Sequence, residues 1–205
     1  MKRILLLIAM AALATLQAHA QTGSAITYVT ALNGAAEAPA NTSPAIGSAT
    51  VIYEPATKIL TISVQFSGLL GTTTAAHIHC CTAVAGAGTV GVATTTPTFS
   101  GFPGSVTAGT YLQPLNMASA SSYNTAFISS HGGTPDTALS ALLEGMAAGK
   151  AYLDIHSSFF PGGEIRGFPV PPTLTGVVSR KVHGATGSFD IPLDTSQPFN
   201  GTVSV

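Results

Sequence analysis

Ala76-His77-Ile78-His79-Cys80-Cys81-Thr82 places two imidazoles and two thiols within five consecutive positions. If this stretch is extended, His77 and His79 project from one face, because successive side chains of a strand alternate. A second segment, Tyr152-Leu153-Asp154-Ile155-His156, puts Tyr152, Asp154 and His156 on one face and Leu153 and Ile155 on the other. A third, Glu164-Ile165-Arg166, pairs a carboxylate with a guanidinium at the same spacing. Were the three segments neighbours, three histidines, two carboxylates and one arginine would share a polar surface. Imidazole donors suit zinc and copper, so His77, His79 and His156 are candidate metal ligands. Asp154 or Glu164 would then act as a fourth ligand or would orient a ring N–H. The competing reading is a hydrogen-bonded network of histidine, carboxylate and arginine that fastens the sheet without metal. Asp154 and Glu164 could also be paired as general acid and base, but nothing marks a substrate pocket, and no catalytic residue is assigned.

The elements that must position these groups read as β-structure. In Lys58–Gly68, Leu60, Ile62, Val64 and Phe66 alternate with Thr61, Ser63 and Gln65, the period of a half-buried antiparallel strand. Ser48–Glu54 supplies a partner across the turn Glu54–Lys58, and Ala25–Leu32 an opening strand. Ala83–Gly109, rich in Gly, Thr and Pro, reads as long loops with one short strand at most. Thr134-Pro135-Asp136 announces a helix with an N-cap, a first-turn proline and a first-turn acid. Leu139, Leu142, Leu143 and Met146 follow at helical spacing, and Gly149 stands at the C-terminal end. A further helix is expected over Ala118–Ser130. The fold class expected is mainly β: an antiparallel immunoglobulin-like or superoxide-dismutase-like sandwich with a short helical insertion on one edge.

Met1-Lys2-Arg3, the apolar run Ile4–Leu16 and Ala18-His19-Ala20 read as a secretory signal peptide over residues 1–20. The run is too short to span a bilayer, and a mature chain would start near Gln21. That chain would carry five basic and eight acidic residues, a net charge of −3. So sparse a charge set offers no basic patch for nucleic acid or anionic lipid. No later stretch is apolar enough for a transmembrane helix. Residues 21–168 make one domain, 169–173 a proline-rich linker, and 174–205 a β-prone tail too short for its own core, readable as the start of a truncated second module.

Gly34-Ala35-Ala36-Glu37-Ala38-Pro39, Ala75-Ala76-His77-Ile78-His79, Ala151–His156 and Pro161-Gly162-Gly163-Glu164-Ile165-Arg166-Gly167 together resemble the hallmark segments of the CHRD domain, a module named from chordin and widespread in secreted bacterial proteins. The resemblance spans Ala25 to Phe168. It implies a secreted antiparallel β-sandwich with no established catalytic activity, and Glu37 and Arg166, carried on its hallmark segments, are read as structural. The His-x-His strand is also similar to the copper-ligating strand of Cu,Zn superoxide dismutase, although the bridging histidine and Asp-bearing zinc loop of that enzyme have no match. Cys80-Cys81 departs from the family's glycine-rich continuation. In an oxidising compartment the two thiols either join as a vicinal disulfide, the favoured reading, or Cys81 ligates metal beside the histidines. Two functions follow. One is a secreted, non-enzymatic module with a structural or binding role at the bacterial envelope, its partner an envelope protein or polymer. The other is a zinc- or copper-binding protein, with redox activity open to it.

Overall fold

The computed structural model describes residues 23–172. The expected signal peptide, its cleavage point near Gln21 and the tail 174–205 lie outside the described residues. Seven strands form one antiparallel sheet: β1 (Ile26–Asn33), β2 (Ile46–Glu54), β3 (Ile59–Ser67), β4 (Thr73–His79), β5 (Gly109–Asn116), β6 (Tyr152–Ser157) and β7 (Ile165–Gly167). Their order is β4-β6-β7-β1-β2-β3-β5. The protein is thus mainly β, as the alternation predicts.

Two wings compose the sheet. β1, β2, β3 and β5 pair along their lengths, while β4, β6 and β7 form a shorter second wing. Between the wings, β1 and β7 meet at one register pair, Asn33 opposite Arg166. The curl at this seam lets the wings face each other, so a single sheet does the work of a two-layered sandwich. Leu32, Val51, Leu60 and Ile62 from one wing and Ile78, Leu153, Ile155 and Ile165 from the other share one core. Burying such side chains contributes about 1.5–3 kcal/mol each. Val170, expected in a linker, instead exchanges both backbone hydrogen bonds with Val29 at 2.9 and 3.2 Å, so the chain is tied to β1 beyond the end of β7.

Three elements differ from the sequence reading. β5 was not expected as a strand. It carries Pro114 and buries only Tyr111 along its length, which an edge strand tolerates and an alternation pattern does not reveal. The helix expected over Ala118–Ser130 is split: a 3-10 turn at Ala120–Ser122, an extended Tyr123 bridged to Thr94, then α1 (Thr125–Ser130). Asn124 starts α1 by accepting from Ala126 N, and a residue in that capping conformation cannot lie inside a helix. α2 (Pro135–Ala147) begins as predicted, with Thr134 and Thr137 capping each other. Phe127 of α1 and Leu139, Leu142 and Met146 of α2 belong to the common core, so the helical segment completes the interior and is not an appendage on an edge.

Candidate metal centre

On β4, Ala76 and Ile78 point into the core; on β6, Leu153 and Ile155 do the same. Period-two geometry therefore sends His77, His79, Tyr152, Asp154 and His156 to the outer face of this wing. The register aligns His77 with Asp154, and Asp154 with Arg166, in one row across β4, β6 and β7. A sheet's outer face is normally wet, yet here His77, His79 and Asp154 are 6%, 8% and 2% exposed. The loops make the difference. The long connection after β4 and the Gly34–Pro39 segment fold over this face, and Arg166 holds both: Nε donates to Ala36 O at 2.5 Å and Nη1 to Gly88 O at 2.9 Å. Its guanidinium lies 4.6 Å above the Tyr152 ring centre, and that ring stacks on His79 at 4.6 Å.

Each histidine is anchored by one nitrogen. His77 Nε2 donates to Pro97 O at 2.5 Å, His79 Nδ1 to Val90 O at 2.9 Å and His156 Nδ1 to Pro161 O at 2.9 Å. A carbonyl only accepts, so these contacts place a proton on those nitrogens, and in a neutral ring the other nitrogen carries the lone pair. The other nitrogens are His77 Nδ1, His79 Nε2 and His156 Nε2. All three are buried without a hydrogen-bond partner, and the three histidines each bring a ring nitrogen within 4.8 Å of those of the other two. The rings lie at mutual centroid distances of 5.2–6.0 Å. Burial lowers the pKa of His77 and pushes that of His79 down to about 4, so both rings stay neutral at pH 7.

Two carboxyl groups adjoin the cluster. Asp154 Oδ2 lies 3.8 Å from His156 Nε2, and Glu37 Oε2 lies 3.8 Å from Arg166 Nε. Both groups lie against the bare Cα of Gly163, whose φ of +129° and lack of a Cβ are both required: a Cβ there would come within 2.7 Å of the Asp154 oxygens and 2.9 Å of Glu37. Burial, reinforced for Glu37 by its acidic neighbour, raises Asp154 to about 7 and Glu37 to about 8. Asp154 Oδ1 and Glu37 Oε1 are unpartnered too. Among the described residues, every buried side-chain nitrogen or oxygen without a partner belongs to these five residues.

Glu164 is not in this cluster. β7 starts only at Ile165, after the turn at Gly163, so the alternation assumed from Arg166 does not extend back to it. Its fully buried carboxylate accepts from Ser157 Oγ, from Ser43 Oγ and Leu70 N at 2.6 Å, and from Gly71 N at 3.4 Å. It clamps the loop before β4 to β6. Cys81 is also elsewhere. β4 ends at His79, Cys80 and Cys81 are joined as a vicinal disulfide, and both sulfurs rest on α2 where Gly145 has no Cβ to obstruct them. With both sulfurs bonded to each other, Cys81 offers no thiolate to the histidines. Glu37, reached in the sequence only through its family segment, proves to be part of the cluster's surroundings. The three carbonyls that set the tautomers have no sequence signature at all.

Fold and site together define a small antiparallel β-module whose outer face carries an enclosed group of polar side chains. The family model for the CHRD domain matches residues 28–168, well over half of the chain, and the protein belongs to that family. No curated protein and no solved structure matches it. No helix among the described residues is long and apolar enough to cross a membrane.

Proposed function

We propose that the protein is a secreted, non-enzymatic CHRD module of the bacterial envelope that binds a zinc or copper ion through His77 Nδ1, His79 Nε2 and His156 Nε2. One observation carries the reading: three clustered imidazoles, each pinned to a backbone carbonyl by one nitrogen, bury the other nitrogen without a hydrogen-bond partner. A buried polar atom with no partner costs about 1–3 kcal/mol, and three at one point are costly unless something binds them. Backbone carbonyls on the distal nitrogens are the usual means of orienting metal-bound histidine and raising its basicity. The donor atoms lie below the surface, which favours an ion that is retained and supports a structural or binding role for the module.

Thermal unfolding of tag-free protein tests this. At a free zinc or copper concentration 100 times the dissociation constant, binding to the folded state alone adds about 2.7 kcal/mol. The expected result is a metal-dependent rise in melting temperature that disappears in His77→Ala and in His156→Ala, and that weakens below pH ~6 as imidazole is protonated. Equal melting temperatures with and without either metal would refute the reading.

A further inference from the structure

We infer that Asp154 is the fourth ligand, which makes this a closed, four-coordinate His3Asp site suited to zinc. The inference rests on the three-histidine reading above and adds to it the remaining ligand, the geometry and the choice of metal.

A carboxylate beside metal-binding histidines has two common roles: it accepts a ring N–H from behind, or it binds the ion from the front. The anchoring contacts decide between them. All three ring N–H groups are already taken by Pro97, Val90 and Pro161 carbonyls. No ring N–H is left for Asp154 to orient. Its Oδ2 lies instead 3.8 Å from His156 Nε2, the nitrogen left over from the Pro161 contact. Two acceptors facing each other at that distance repel unless a cation or a proton lies between them. Asp154 also stands directly opposite His77 in the β4–β6 register, and its side chain is only 3% exposed.

Among the described residues no lysine or arginine lies within ion-pair distance of Asp154. Arg166, its neighbour on β7, spends Nε and Nη1 on the Ala36 and Gly88 carbonyls and lies nearest to Glu37 among the acids. Lys58, the other basic side chain in an ion pair among the described residues, is bound to Asp136. The second carboxyl beside Asp154, Glu37, adds negative charge. A divalent cation at the convergence point would supply what this buried pair lacks. Three imidazole nitrogens and one carboxylate oxygen form a tetrahedral set typical of zinc, whereas copper(II) favours a tetragonal arrangement. With four protein ligands the ion has no open position, and the site is structural.

Cobalt(II) serves as the spectroscopic probe, zinc(II) as the thermodynamic one, both with the tag-free chain and its Asp154→Asn variant. The wild-type cobalt protein should show the intense visible bands of four-coordinate cobalt, unchanged by azide. In Asp154→Asn the bands should shift, azide should perturb them, and the zinc dissociation constant should rise more than about 100-fold, beyond the 10–100-fold effect of residues that only support ligands. Azide-sensitive bands in the wild type, or an unshifted spectrum with less than about a tenfold change in the variant, would overturn the assignment of Asp154 while leaving the histidine site intact. Failure of the wild type to take up either ion would overturn both. The wild-type azide titration needs no variant, so poor folding of Asp154→Asn would not spare the inference.

Discussion

Two buried carboxylate centres lie on adjoining parts of the β6–β7 hairpin, and they are built in opposite ways. Glu164 is surrounded by donors: two serine hydroxyls and two backbone N–H groups converge on it, and these bonds hold its pKa below the usual carboxylate range despite the opposing effect of burial. Asp154 and Glu37 have no such set of donors: each leaves one oxygen unpartnered, and burial pushes both upward. A buried polar group must be satisfied from somewhere. The first centre is satisfied by the chain itself and is a finished structural knot. The second leaves five atoms unpartnered, and in the function proposed above a metal ion completes it.

Breaking the knot should have the largest effect. Glu164→Ala would leave several donors without an acceptor and should cost more than about 3 kcal/mol, at one to three per stranded group. Denaturant unfolding should show that loss whether or not zinc is present. A cost below about 1 kcal/mol would mean that water replaces the carboxylate easily, and that the two centres differ less than their hydrogen bonds indicate.

The second centre should instead make the metal-free protein sensitive to pH in two directions. On the acid side, His79 titrates near 6.5 in the unfolded chain but near 4 in the fold, and His77 is shifted the same way. The unfolded state thus binds more protons in that interval. Stability is full above about 6.5 and drains as pH falls toward 4, by on the order of 3 kcal/mol. On the alkaline side, the folded Asp154–Glu37 pair keeps protons that the unfolded chain releases near pH 4. Its contribution is present at low pH and is lost as pH rises through about 7 to 8. The two effects oppose each other between about pH 4 and 6.5, and above about 6.5 only the carboxyl effect remains. Unfolding in the presence of a chelator should therefore show stability falling from about pH 6.5 to 8. A profile flat from pH 4 to 9 would contradict the account of both shifts.

A smaller effect, of opposite sign to that of Glu164, distinguishes the centres further. Asp154→Asn removes a buried charge of almost the same shape and should stabilise the metal-free protein at pH 8, by about 1–3 kcal/mol. Loss of stability in that assay would show that the carboxylate is already satisfied, as Glu164 is.

Much of this architecture was legible in the sequence because it depends on period. Leu60, Ile62, Val64 and Phe66 declare one buried face of β3, and the same rule puts His77 with His79 and Asp154 with His156. The family segments located Glu37 and Arg166. What period cannot convey is register and closure. Nothing local sets His77 opposite Asp154, or brings Val90, Pro97 and Pro161 carbonyls behind the rings, because every residue carries a carbonyl. Glu164 was assigned to the wrong centre because alternation was carried back through a glycine turn. β5 was missed because an edge strand with Pro114 and one buried side chain has little pattern to read.

The central claim is that the histidine cluster holds one metal ion. Native mass spectrometry of the full chain, expressed for export and purified without a tag or chelator, measures this directly. The account predicts one zinc ion per chain in the folded protein, lost on acidification and absent from a variant lacking His77, His79 and His156. Metal-free wild-type protein that takes up no ion when supplied with zinc or copper would contradict it.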